Sequence, residues 1–309
     1  MLPPPLALLA AWILDAYLGE PRRLHPLAGL AAVAGGLERT LNRPGASARR
    51  RRLAGALATA LLVAPATAAT ALLAALPGGW LIELAVLYLC LGGSSLRVHA
   101  RAVAEPLRRG DTAAARAAVA GIVSRDSSRL TETEIARAAT ESTLENGNDA
   151  VLATVLWFLV AGAPGAVAHR LINTLDALWG YSDERFRAFG WAAARLDDLL
   201  GWLPARLTAV AYALAGLRVR PVYRAVREDA AQWPGLNPGV VMAAGAAALG
   251  TRLGGPAAYG AGRRHRPWLG DGTEPDAATI DRAVTLVDRA AAIALAAALA
   301  LWLLAWGGP

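Results

Sequence analysis

Apolar residues run in long uncharged blocks along this chain instead of alternating with polar ones. Residues 53–76 (LAGALATALLVAPATAATALLAAL) carry no charged side chain. A bilayer's hydrocarbon core of about 30 Å takes roughly 20 helical residues, so this block is long enough to span. A second block, 80–96, is interrupted only by Glu83, and a third covers 290–306. Residues 150–168 are equally apolar but hold Gly162-Ala163-Pro164-Gly165 near their middle. Three spans are expected outright. At 150–168 the helix either crosses or breaks at the Gly-Pro sequence and returns. Irregular backbone at membrane depth is tolerated where protein buries it or it lines a cavity. The return is favoured because it leaves the flanking polar stretches on one face. The predicted class is all-α: a polytopic integral membrane helical bundle, one domain over 1–309, with a re-entrant or broken helix near 150–168.

Local signals place the remaining elements. Residues 6–18 form an apolar helix ending at Gly19-Glu20-Pro21. This segment lacks the basic n-region and small-residue cleavage site of a signal peptide, and is expected to be retained. Asp15 keeps one of its faces out of lipid. Residues 97–120 read as an Ala/Arg helix with Asp111 as a cap. Thr131-x-x-Glu134 is a capping box that starts a helix at Glu132, and Gly147 is placed to end it. Steps of three and four put Glu134, Ala138, Glu141 and Glu145 on one face. Like charges at Glu141 and Glu145 repel, so a cation is expected beside them. Pro204 and Arg206 argue against a plain span in 203–217. From Pro221, Val222, Val226, Ala230 and Trp233 form a stripe opposed by Arg220, Arg224 and Arg227, the profile of a helix lying in the membrane interface. A long last helix runs from Ala277 to Trp306.

Composition supports the membrane assignment: 55% of residues are apolar, against about 45–50% in soluble domains. The formal charge is +7, and all 31 basic residues are Arg. They cluster beside the apolar blocks, which is the positive-inside pattern of an inner-membrane protein. Eight fall between residues 19 and 52 (22, 23, 39, 43, 49–52) against Glu20 and Glu38. That places 19–52 and the loop after 96 in the cytoplasm, with 77–79 outside, and no nucleic-acid partner is expected. The single cysteine, Cys90, excludes a disulfide framework and reads as a small buried hydrophobe.

Candidate chemistry gathers in two polar stretches. The first offers Asp126, Glu141, Glu145, Asn146 and Asp149, the second Asn173, Asp176, Asp197 and Asp198. Hard oxygen donors suit Mg²⁺, which takes one or two carboxylates and completes its shell with water and phosphate. Two such loops would hold Mg–nucleotide between them, with Arg125, Arg195 and Arg206 on the phosphates. The same charges also suit solvated loops with local salt bridges, although such density beside intramembrane segments is expensive without a task. No G-x-x-x-x-G-K-[ST] is present, so a P-loop is excluded. GGPAAYGAG (254–262), followed by Arg263-Arg264, reads as an anion cradle or as tight helix-end turns. His25, His99, His169 and His265 show no metal-ligand spacing, and nothing resembles G-x-S-x-G.

Taken in order, several runs resemble the CobD/CbiB family, the cobinamide or adenosylcobinamide-phosphate synthases. They are LDAYLGEP with HPL (14–27), SRDSSRL (124–130), ATESTLENGNDAV (139–151) and GAPG (162–165). INTLDALWGY (172–181), FGWAAARLDDLLGWLPARLTA (189–209), LGG with Tyr259 (253–259) and PWLGDG (267–272) follow. The resemblance covers nearly the whole chain. It implies a multi-pass enzyme of late cobalamin (vitamin B12) assembly. Such an enzyme joins (R)-1-amino-2-propanol, or its O-phosphate, by an amide bond to a free carboxylate of adenosylcobyric acid, using ATP and Mg²⁺. Under this resemblance Glu141, Glu145, Asp149, Asp176, Asp197 and Asp198 are metal and nucleotide ligands. Arg125, Arg195 and Arg206 contact phosphate, and Asp126, Asn146 and Asn173 complete the catalytic stretches. Tyr181, Tyr259 and Trp268 face the corrin, with Asn237, Gly254 and Gly255 in the same binding group. Other late cobalamin-assembly enzymes are expected partners.

The chain departs from the family pattern at several points. Glu20 stands for the usual Asp, and Ser124 for the Gly of Gly-Arg-Asp. Thr154 replaces a proline, and His169-Arg170 replaces Tyr-Lys. Gly235-Leu236-Asn237-Pro238 alters a Ser-Pro-Asn element whose downstream Glu is missing, which bears on the amine substrate. Two other classes compete: a membrane transferase using a Mg–diphosphate substrate, and a corrinoid transporter or scaffold without catalysis. Paired Asp-rich repeats would mark the first and charges deep within the spans the second.

Overall fold

Long apolar helices organise the structure, a computed structural model that describes residues 2–21, 26–123, 126–259, 262–264 and 266–306. The helices are α1 (Pro4–Leu18), α2 (Pro26–Leu41), α3 (Ala48–Ala74), α4 (Trp80–Cys90), α5 (Gly93–Arg108) and α6 (Thr112–Ala120). They continue as α7 (Glu132–Asn146), α8 (Ala153–Trp179), α9 (Trp191–Ala215), α10 (Val219–Glu228), α11 (Pro238–Leu249) and α12 (Ala277–Trp306). Among the described residues, four helical stretches are long and apolar enough to cross a membrane: Ala48–Ala74, Trp80–Arg108, Glu132–Trp179 and Ala277–Ala305. The protein is therefore an all-α, polytopic membrane protein, as its apolar blocks predict. Packing divides the chain into two units that alternate along the sequence. One comprises Met1–Gly92, Ala153–Gly201 and Ala298–Pro309, the other Gly93–Leu152 and Trp202–Ala297.

In the first unit, Ser47 caps α3 by accepting the Arg50 N–H at 3.4 Å, so Arg49–Arg52 form the opening turns of the span. Twenty-seven residues make α3 about 40 Å long. It packs on α8, which also meets α4 and α2, while α1 lies against α4. Trp179 and Phe189 meet edge-on at 5.1 Å and form a core with Ala34, Ala58, Leu175 and Ala193. The α8 segment breaks where GAPG predicts: Ala161 (φ −140°, ψ 20°) and Gly162 (φ 63°, ψ −161°) are non-helical. In a straight helix residues eight apart are separated by about 12 Å. Here a Cβ on Gly165 would lie 2.5 Å from the Trp157 carbonyl oxygen, so the chain bends sharply back on itself. Only glycine takes the left-handed φ at 162 without strain, and Pro164 has no N–H to rejoin the preceding ladder.

In the second unit, Asp111 caps α6 by accepting the Ala114 N–H at 2.9 Å, which splits the expected 97–120 helix in two. The 80–96 block is also split, because Leu91, at the end of the first unit's opening segment, is extended between α4 and α5. The capping box starts α7 at Glu132 as read, with Thr131 and Glu134 exchanging side-chain and backbone bonds. Although α7 is polar in sequence, every residue from Ile135 to Leu144 is buried. Helices α5, α6 and α11 pack around it. Small residues let α11 approach closely: a Cβ on Gly245 would strike the Leu144 side chain.

Two sequence expectations are corrected in this unit. Gly147 does not end the helix. Its backbone is right-handed helical (φ −59°, ψ −39°), and the chain runs on as a π-helical turn, Gly147–Leu152. The arginine-flanked helix α10 ends at Glu228, before Ala230 and Trp233, and buries Val222 and Ala225. It packs on α11, so its apolar stripe is used on protein and not left for lipid. Residues 253–269 form two short antiparallel pairs: β1 (Leu253–Gly254) with β4 (Trp268–Leu269), and β2 (Ala257–Tyr259) with β3 (Gly262–Arg264). They replace the expected helix-end turns. The last helix, α12, spans the residues read for it.

Candidate functional site

The second unit's site is built on α7. Glu141, 5% exposed, accepts the Gly254 N–H at 2.8 Å and faces the Arg266 guanidinium at 3.3 Å. Arg266 also donates to the Gly255 carbonyl at 3.1 Å and lies over the Trp233 ring at 5.0 Å. The cation that the Glu141–Glu145 repulsion calls for is thus supplied by the segment after β3, and Glu141 pins that segment to α7. One turn earlier, Arg137 lies over the Trp268 ring at 4.8 Å, and Arg252 lies over the same ring at 3.8 Å. Gly255 has φ 75° and sits against the Trp268 ring, where a Cβ would collide with it. The Gly254-Gly255 pair is thereby explained by backbone shape and close approach.

Beyond Glu141, the motif runs into the π turn. Such turns recur at functional sites because the widened helix redirects side chains. The Thr208 hydroxyl donates to Asn148 Oδ1 at 2.8 Å, and Asn148 Nδ2 donates to Asp149 Oδ1 at 2.7 Å. The Tyr212 hydroxyl donates to the Leu144 carbonyl at 2.9 Å. A Cβ on Gly147 would lie 2.5 Å from Val287 Cγ2 and 2.8 Å from Tyr212 Oη, so glycine is needed for this packing. Glu145 and Asp149 are half-buried, while Asn146 is exposed and donates to the Ser142 carbonyl at 2.9 Å within its own helix. Asp126 is exposed and turns the loop by accepting the Ser128 N–H at 2.9 Å, which holds its carboxyl below the usual range. Arg125 lies outside the described residues.

Arg206, on α9, donates to Asn237 Oδ1 at 2.9 Å and to the Trp202 carbonyl at 3.0 Å, with its guanidinium 4.7 Å from the Trp202 ring. The altered Gly235–Pro238 element is therefore tied to α9 through its asparagine. Tyr259 lies in β2, and its side chain is outside what the structure describes.

The remaining candidates belong to the first unit. Asn173 donates to Asp197 Oδ1 at 3.2 Å, joining α8 to α9. Arg195 pairs with Asp198 at 3.2 Å one turn along α9. The Asp176 carbonyl accepts the Gly180 N–H at 2.6 Å, and its side chain lies over Gly180. Tyr181 is half-exposed and packs obliquely on Phe186 at 6.1 Å.

Among the described residues, no group of three or more His, Cys, Asp or Glu side chains converges to hold a metal ion. The donor set fits Mg²⁺ in its commoner mode, with one or two carboxylates and the rest of the shell from substrate phosphate and water. Within the second unit, Glu145 and Asp149 suit that mode best, since they are half-buried and follow one another at a spacing of four residues, while Glu141 is buried. The residues that sequence alone missed are Arg137, Arg252, Arg266, Glu274 and Thr208. The basic run 263–266 was the available signal for Arg266; the others are brought in only by tertiary packing.

The sequence profile of the family described as CobD/Cbib protein matches residues 8–287. A relative from Stutzerimonas stutzeri (strain A1501), "Cobalamin biosynthesis protein CobD", is 54% identical over 283 residues, covering 91% of this chain and 92% of its own. Proteins of the same name from Chromobacterium violaceum and Mycobacterium tuberculosis (strain H37Rv) are 51% and 40% identical. They cover 95% and 91% of this chain and 96% and 90% of their own. No solved structure matches the chain.

Proposed function

The chain belongs to the CobD/Cbib protein family, and from that premise we propose that it is an enzyme of cobalamin biosynthesis that forms an amide bond on a corrinoid. Its substrates are adenosylcobyric acid, ATP, and (R)-1-amino-2-propanol or its O-phosphate. Family membership carries the reading. The buried polar helix α7, with its clamped Glu141 and the π turn after it, supports it, because a membrane protein retains such a helix only for a task.

A carboxylate resists amine attack until one of its oxygens becomes a leaving group. In the proposed reaction that oxygen attacks the γ-phosphorus of ATP, and ADP departs. The amine then attacks the acyl carbon, phosphate leaves, and the nitrogen gives up a proton. Mg²⁺, when bound with the nucleotide, supplies neutralisation of charge on the phosphoryl oxygens. Glu145 and Asp149 would hold it. The Asn148–Thr208 bonds fix the Asp149 carboxylate, and arginines of the site balance charge that develops on phosphate. In this proposal the catalytic segments face the cytoplasm at the inner membrane, a reading supported by the arginines of 19–52.

The test is a product assay. Membranes containing the protein receive adenosylcobyric acid, ATP, Mg²⁺ and aminopropanol phosphate, and corrinoids are resolved by mass. The expected result is the amide product, lost in Asp149→Asn. Unchanged substrate with retained corrinoid binding would instead identify a scaffold.

A further inference from the structure

Two guanidinium groups lie over the Trp268 ring, Arg137 at 4.8 Å and Arg252 at 3.8 Å from its centre. Both arginines face one carboxylate: Glu274 pairs with Arg137 and stands 3.9 Å from Arg252. Arg137 is 8% exposed, and its buried Nε–H has no hydrogen-bond acceptor among the described residues. A buried donor without an acceptor is destabilising, so its retention calls for a reason. Charge supplies one. Among the described residues the two guanidiniums share a single carboxylate, so one positive charge beside the aromatic ring is left over from their ion pairs. The nearby Arg266 does not change this count, because Glu141 neutralises it.

We infer that Arg137, Arg252 and Trp268 form an oxyanion site for a phosphate monoester, with Glu274 as its removable internal occupant. A phosphate monoester carries close to two negative charges at neutral pH and balances both guanidiniums, which a single carboxylate does not. Its oxygens accept from the planar donor forks that arginine presents, and one of them can take the orphaned Nε–H. Glu274 can leave because its side chain is half-exposed and lies in the segment between β4 and α12. The Arg252 side chain is 40% exposed and keeps the site open to solvent. All four residues belong to the second unit. The inference rests on the function proposed above and deepens it, since aminopropanol O-phosphate is such a monoester and ATP ends in a terminal phosphoryl group of similar charge.

The experiment uses full-length protein in nanodiscs without divalent ions. Inorganic phosphate, aminopropanol phosphate and ATP are each titrated by calorimetry. Arg137 is left intact because its burial would make loss of folding a rival explanation. Arg252→Gln is expected to weaken binding of the cognate phosphate compound roughly tenfold. Glu274→Gln is expected to tighten it several-fold, a gain that a merely structural contact would not produce. The compound that responds identifies the source of the phosphate. Failure of the wild type to bind any of the three overturns the site, as do affinities unchanged within about twofold or equal weakening by both variants. Amide formation is assayed in the same preparations. Ligation with silent variants removes the site and leaves the function standing. A response to both variants without amide product does the reverse.

Discussion

Glu141 joins the sequence motif to the three-dimensional site, because its carboxylate holds both the Gly254 N–H and Arg266. Changing it to glutamine preserves shape and one acceptor but leaves Arg266, with an 11% exposed side chain, short of its counter-charge. Removing one partner of a buried pair costs about 3–5 kcal/mol, much of it the penalty on the charge left behind. Glu141→Gln is therefore expected to lower the thermal unfolding midpoint of the detergent-purified protein sharply. Adding Arg266→Gln should restore part of the loss, and strict additivity would show that the two groups do not interact. Gly147 offers a second test at this scale. Its missing Cβ leaves room for Val287 and Tyr212, and overpacking typically costs about 1–3 kcal/mol. Gly147→Ala should destabilise by about that amount while Gly121→Ala, whose Cβ would meet only the Ala118 carbonyl at 3.5 Å, changes little.

At the scale of elements, a polar latch ties α2 to the segment between α8 and α9. Arg185 donates to Glu38 at 2.6 and 3.0 Å, and Asn42 donates to the same carboxylate at 2.7 Å. Arg185, foremost, and Asn42 hold the Glu38 carboxyl below its ordinary value of 4.5, against the effect of burial. A depressed carboxyl stabilises the folded state above its unfolded pKa and loses that contribution as pH falls through the lower folded value. The wild type should lose stability below about pH 4.5 more steeply than Glu38→Gln, which starts lower and stays flatter. Identical pH profiles of the unfolding midpoint would show that the latch contributes nothing. The elements that depend on short motifs were legible in the sequence: the capping box at Thr131, the break at Gly162 and the whole of α12. Those that depend on distant partners were not. Tyr212 and Val287 pack at Gly147, where the π turn begins, and Glu141 meets Arg266 from 125 residues away. The α10 stripe misled because an apolar face looks the same whether lipid or α11 covers it.

For the molecule as a whole, four helical stretches suited to a bilayer and a chain that alternates between two units set the frame in which the enzyme works. The proposed orientation puts the Arg-rich segment before α3 inside and the Pro77–Gly79 connection outside. With Cys90 replaced by alanine, Gly78→Cys should react with an impermeant maleimide on intact cells, whereas Ala46→Cys and Ser182→Cys should react only after permeabilisation. Labelling of Ser182→Cys from outside would contradict the return of the chain at the α8 break. The central claim is ATP-dependent activation of a corrinoid carboxylate, and isotope transfer reports on it most directly. Adenosylcobyric acid carrying ¹⁸O in its free carboxylate would be converted in the presence of ATP, Mg²⁺ and the amine, and the released phosphate analysed by mass. One ¹⁸O atom per phosphate, matched to each amide formed, is the predicted result; amide formed with unlabelled phosphate would contradict it.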